Sequence, residues 1–111
     1  MNDMLINLKD ETLEILNKYG KTWDDVEWVG SVNWNLTVDK NQFLILADRE
    51  YNNGYGGNEV SLDLVVVGKD FWLERHEYDG SEWWEFKQIP KKPAIMLEDN
   101  LAPFLYNCLE W

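Results

Sequence analysis

"WLERHEYDGSEWWEF", residues 72–86, holds five carboxylates, the only histidine of the chain and three of its seven tryptophans. At its centre stands Asp79-Gly80, a pair suited to the two positive φ angles of a type I′ hairpin turn. Such a turn sets Leu73 opposite Phe86, Arg75 opposite Trp84, Glu74 opposite Glu85 and Glu77 opposite Glu82. Successive side chains of a strand point to opposite faces. Leu73, Arg75, Trp84 and Phe86 therefore belong to the core side, and Trp72, Glu74, His76, Tyr78, Trp83 and Glu85 to the other. A three-residue turn through Ser81 is the competing reading and would pair Arg75 with Glu85.

Working back along the chain, Val60, Leu62, Leu64 and Val66 alternate with Ser61, Asp63, Val65 and Val67, the pattern of another strand. Gly68-Lys69 reads as a type II′ turn that pairs Val66 with Phe71 and Leu64 with Leu73. Further back, Trp28, Val32, Trp34, Leu36 and Val38 predict a strand buried on one face, and a turn at Lys40-Asn41 pairs Val38 with Phe43, Leu36 with Ile45 and Trp34 with Ala47. Between these hairpins "EYNNGYGGNEV" reads as a loop, with glycine and asparagine supplying positive φ and with Tyr51 and Tyr55 as contact residues.

Helices are expected at both ends. Leu5, Leu8, Ile15, Leu16 and Tyr19 follow helical spacing over 2–19, with a restart at Asp10 as an option and Gly20 as the stop. Thr22 and Asp25 have capping-box spacing and predict one further helical turn. Pro90 and Pro93 end the last strand, after which Asn100 caps a helix bearing the stripe Leu101, Phe104, Leu105, Cys108 and Leu109. The expected fold is a single α+β domain over 1–111: N-terminal helix, five-stranded antiparallel meander, C-terminal helix.

Composition narrows the function. A chain of 111 residues with 45% hydrophobic residues is long enough for one core. Its net charge of -11 exceeds the magnitude of about 2–8 usual for a small soluble domain. That field repels phosphate backbones and anionic lipid and attracts basic proteins, so direct nucleic-acid or membrane binding is disfavoured. A purely solubilising role for the charge is the bland alternative. Residues 48–85 carry ten acids and three bases, most of the excess. The single cysteine, Cys108, points to a reducing compartment and to a buried apolar role. With no signal-peptide pattern or long apolar run, a cytoplasmic protein is expected.

No motif names a chemistry. Glu74 facing Glu85 has the form of an acid–base pair, but a two-stranded patch offers no cleft to exclude water. His76 among carboxylates lacks ligand spacing for a metal and reads as a hydrogen-bonded surface residue. The glycine loop lacks the Lys-Ser/Thr and helix of a phosphate cradle. Lys87, Lys91 and Lys92 read as an edge-protecting rim. No catalytic residue, metal or cofactor is expected. The informative surface is the outer face, where Leu44, Leu46, Val65, Val67, Trp72 and Trp83 are expected beside Asp63, Glu74 and Glu85, to be covered by a terminal helix or by a partner.

The segment "YDGSEWW", with "WLER" and "YNNGYGG" before it, resembles a family of small uncharacterised proteins encoded by bacteriophages and prophages, over residues 22–90. That resemblance implies an accessory cytoplasmic protein and brings no catalytic residues. Inhibitors of host nucleases, such as anti-CRISPR and anti-restriction proteins, are similar in size and charge. The function expected is a non-catalytic acidic interaction module that occupies a basic surface of a host nucleic-acid-binding protein. Its partner-binding residues would be Asp63, Trp72, Glu74, Glu77, Tyr78, Asp79, Glu82, Trp83 and Glu85, with Tyr51 and Tyr55. The alternatives are a small-ligand or sugar-binding module using exposed tryptophans, a hydrolase built on Glu74 and Glu85, and a structural homodimer.

Overall fold

The computed structural model describes residues 5–96 and Leu105. Within them β1 (Leu5–Asn7) leads directly into α1 (Leu8–Lys18), and a 3-10 turn (Trp23–Asp25) precedes β2 (Val26–Ser31) and β3 (Leu36–Val38). There follow α2 (Lys40–Ala47), β4 (Glu50–Asn52), β5 (Val65–Gly68), β6 (Phe71–Tyr78) and β7 (Ser81–Gln88). β1 and β4 form a small antiparallel pair. The main sheet has five antiparallel strands in the order β3-β2-β5-β6-β7.

The hairpin that anchors the sheet has the expected register: Leu73 faces Phe86, Glu74 faces Glu85, Arg75 faces Trp84 and Glu77 faces Glu82. Asp79 and Gly80 carry φ of 51° and 87°, the two positive values of a type I′ turn. The expected Gly68-Lys69 turn is displaced: Val66 lies opposite Leu73, not Phe71, so Lys69 and Asp70 make the connection. A shift of two residues preserves side-chain parity, so Val65, Val66 and Val67 keep their expected faces. The strand itself is shorter than expected, with residues 60–64 irregular.

Three expectations are corrected between residues 5 and 47, the first only in where its helix starts. The N-terminal helix begins at Leu8, because Asn7 caps it by accepting from the Asp10 backbone N–H at 3.0 Å. The single strand read from Trp28 to Val38 is two strands joined through Asn35, whose φ is 53°. Gly30 permits that close pairing, since a Cβ there would lie 2.2 Å from the Leu36 carbonyl oxygen. A register irregularity between Val26 and Trp28 also turns Val29 and Ser31 inward and Trp28 outward.

The third is the segment 43–47, which is α2 and not a strand. Asp39 caps it, accepting from the Gln42 N–H at 3.0 Å. Phe43 and Ala47, four apart, are buried, while Ile45 is 67% exposed. That is helical spacing, which the unbroken run Phe43–Ala47 concealed. Leu44 and Leu46 therefore leave the outer sheet face to which they were assigned. The capping box at Thr22 is present, with the Asp25 carboxylate accepting from the Thr22 N–H at 2.8 Å. Of the helix expected after Asn100 only Leu105 is among the described residues, where it is helical and exposed; the rest lies outside them.

The core forms where both described helices meet the inner sheet face. Leu16 of α1 and Phe43 and Ala47 of α2 pack with Val29, Val66, Leu73 and Trp84. α1 contacts β7 and α2 contacts β2. Tyr19 stacks on Phe86 at 4.2 Å and Phe86 on Phe71 at 5.5 Å, closing one end. The inner layer is thus occupied, and among the described residues no helix packs on the outer face.

Candidate protein-interaction face

Cross-strand pairing fixes what the outer face displays. One row runs Trp28, Val67, Trp72, Lys87, and the next runs Gly30, Val65, Glu74, Glu85. His76 and Trp83 form a third pair. Like charges directly opposite each other repel, so the Glu74–Glu85 pair needs compensation. It comes from every side. Glu74 accepts from the Trp72 indole N–H at 2.7 Å and bonds the His76 ring at 2.6 Å. Glu85 accepts from the Trp83 indole N–H at 3.1 Å, with Lys87 at 3.4 Å and His76 at 3.6 Å.

The two carboxylates are consequently flanked by two half-buried indoles, each held by the carboxylate two residues along its strand. The Trp72 hydrogen bond, followed by the His76 one, holds the Glu74 carboxyl below its ordinary range. The Trp83 hydrogen bond does the same for Glu85. Because both folded carboxyls titrate low, the unfolded chain takes up protons first as pH falls. The stability these bonds contribute is present above about pH 4.3 and lost as pH drops through the folded values. Carboxyl titration by NMR should place both midpoints below the unfolded reference, and Trp72→Phe should raise that of Glu74. A Glu74 midpoint unmoved by Trp72→Phe would show that the indole does not hold the carboxylate.

Other candidate residues are distributed differently. Glu77, Tyr78 and Asp79 are exposed at the tip of the β6–β7 hairpin, where Tyr78 is 75% exposed. Tyr55 joins them, because the loop after β4 is pinned to this tip: Gly56 N–H donates to the Gly80 carbonyl and Glu82 N–H to that of Asn53. Asp63 lies apart, accepting from Asn33 at 2.7 Å and from the Trp34 indole at 3.1 Å. It braces the β2–β3 turn, at which Trp34 is 69% exposed.

Two assignments are corrected. Glu82 is 3% exposed and Tyr51 is 8% exposed, so neither presents its side chain to a partner. Both surround Arg75, whose Nη2 donates to the Tyr51 hydroxyl and to Glu82 at 3.0 Å each. Glu82 also accepts backbone N–H groups of Glu59 and Val60, and Tyr51 donates to Glu11 at 2.5 Å. Burial, and then the Glu11 bond, push the Tyr51 phenol well above its ordinary range. Facing inward, a carboxylate in this register finds the guanidinium that the sequence already placed on the core side.

Sequence reasoning assigned no partner-binding role to Trp28, His76 or Lys87, which belong to the same outer rows. Strand parity was the available signal for His76 and Lys87; Trp28 was hidden by the irregularity in β2. Among the described residues no cluster of three or more His, Cys, Asp or Glu is arranged to hold a metal ion, and no helix is long and apolar enough to cross a membrane. No family model, no curated protein and no solved structure matches this chain.

Proposed function

We propose that the protein is a non-catalytic acidic interaction module whose outer sheet face docks on a basic surface of a host nucleic-acid-binding protein, as a phage-encoded inhibitor would. The observation that carries this reading is the pair of half-buried indoles, Trp72 and Trp83, held by ionised Glu74 and Glu85 on a sheet face that no described helix covers. Aromatic area beside fixed negative charge suits lysine and arginine side chains, which gain both a cation–π contact and an ion pair. The hairpin tip with Glu77, Tyr78 and Asp79 extends the same acidic surface. Two carboxylates both held below their usual range leave neither protonated near neutrality, which favours binding over an acid-catalysed hydrolysis.

Capture from host lysate by the immobilised protein tests this. The wild type should retain a nucleic-acid-binding protein at about 50 mM salt and release it near 0.5 M, where the Debye length has fallen below about 5 Å. Glu74→Lys with Glu85→Lys should abolish retention, and Trp72→Ala with Trp83→Ala should weaken it. Retention unchanged in both double variants would refute this face as the docking surface. The same indoles favour one second reading, a sugar or small-ligand site, for which tryptophan fluorescence should respond to one member of a ligand panel.

A further inference from the structure

We infer that β7 is a self-association edge, on which a second copy of this chain adds its own β7 antiparallel about a two-fold axis at Phe86. The inference goes beyond the docking face and does not depend on it. β7 is the terminal strand of the sheet. The Glu82 N–H bonds Asn53, away from β6, and the Ile89 N–H bonds Asp70, towards the β6 side. Alternation then directs the N–H groups of Trp84, Phe86 and Gln88 away from β6. Among the described residues none of the three has an acceptor. A cleft of about 240 Å³ bordered by Glu11, Glu14, Ile15, Lys18 and Trp84 opens beside this edge.

An exposed strand edge is a template for pairing, and side chains select its register. Centring the two-fold on Glu85 opposes Glu85 to its own copy; centring it on Lys87 opposes two lysines. Centring on Trp84 needs the Glu82 N–H, already used by Asn53. Centring on Gln88 sets Phe86 against Pro90, which has no N–H to give. Centring on Phe86 opposes no like charges and confines both backbone faults to one pair at each end of the ladder, Glu82 with Pro90 of the second copy. Phe86 then pairs with its copy and Trp84 with Gln88 of the second copy. On the outer face Glu85 meets Lys87 of the second copy, and Trp83 meets Ile89, which is otherwise 55% exposed. Opposite charges directly across a non-hydrogen-bonded pair lie about 4.5–5.5 Å apart at Cβ and stabilise it. Lys87, which protects the edge from indiscriminate pairing, is here the residue that specifies the partner.

Sedimentation equilibrium of the full chain tests this across a concentration series. The expected result is a reversible shift from 13.2 kDa to twice that mass, weakened by salt. Lys87→Glu should weaken self-association about tenfold or more by opposing glutamates across the axis. Glu85→Lys combined with Lys87→Glu should restore it, because the swapped pair is complementary again. Gln88→Pro removes an outward N–H without removing a β6–β7 hydrogen bond and should also weaken the dimer. A single 13.2 kDa species up to about 1 mM, or a dimer indifferent to Lys87→Glu, would overturn the inference. Loss of the dimer in Gln88→Pro with lysate capture intact separates this edge from the docking face.

Discussion

Replacing Arg75 with methionine is expected to destabilise the fold by about 3–5 kcal/mol, the cost of stranding buried charge. The guanidinium side chain is fully buried and ion-pairs Glu82 at 3.0 Å and Glu11 at 3.5 Å. It lies over the Trp84 ring at 4.9 Å and the Tyr51 ring at 5.6 Å. These partners come from β7, α1 and β4, so one side chain ties the hairpin to both neighbouring elements. Methionine fills the space but leaves Glu82 inside the fold with only the Glu59 and Val60 N–H groups, and Glu11 with Tyr51 alone. Urea unfolding measures the loss. A change under about 1 kcal/mol would mean that the carboxylates escape to water, and that Arg75 is a packing residue more than an electrostatic one.

Trp84→Ala is expected to cost about 3–5 kcal/mol by a different route, cavity formation. Trp84 is 3% exposed, and its indole N–H donates to the Thr12 hydroxyl at 2.9 Å. Thr12 is itself fully buried and donates to the Leu8 carbonyl at 2.7 Å. Alanine removes one of the two cation–π partners of Arg75, the donor to Thr12 and the largest side chain between α1 and β7 together. Because Arg75 and Trp84 touch, the double variant should lose less than the sum of the singles by about 0.5–3 kcal/mol. Additive losses would show that the guanidinium and the indole act independently.

The places where sequence reading succeeded and failed have a common cause. The Asp79-Gly80 hairpin was legible because its turn chemistry is local and its two strands alternate strictly. From that register alone Glu74, Glu85, Trp72 and Trp83 fell on one face and Arg75 on the other. The segment 40–47 was not legible, because an unbroken apolar run fits a buried strand and a helix equally well. The Asp39 cap was a local signal for the helix, but the Lys40-Asn41 turn competed for the same residues. Trp28 was misassigned by one irregular pairing, since a single extra residue exchanges the two faces of a strand. Glu82 shares strand parity with Trp84 and so faces inward, yet it reads as a surface charge, because only packing shows that a guanidinium and two backbone N–H groups wait there.

By itself the sequence determined the antiparallel β6–β7 hairpin, the placement of its side chains on two faces, the α+β class and the strong negative charge. These follow from dihedral preferences, two-residue periodicity and composition, none of which needs distant partners. Only the packed fold decides that both described helices cover the inner face, that residues 40–47 form a helix and that Glu82 and Tyr51 are locked around Arg75. Those depend on contacts between residues far apart in the chain, where burial and charge pairing choose among folds that local preference leaves equal.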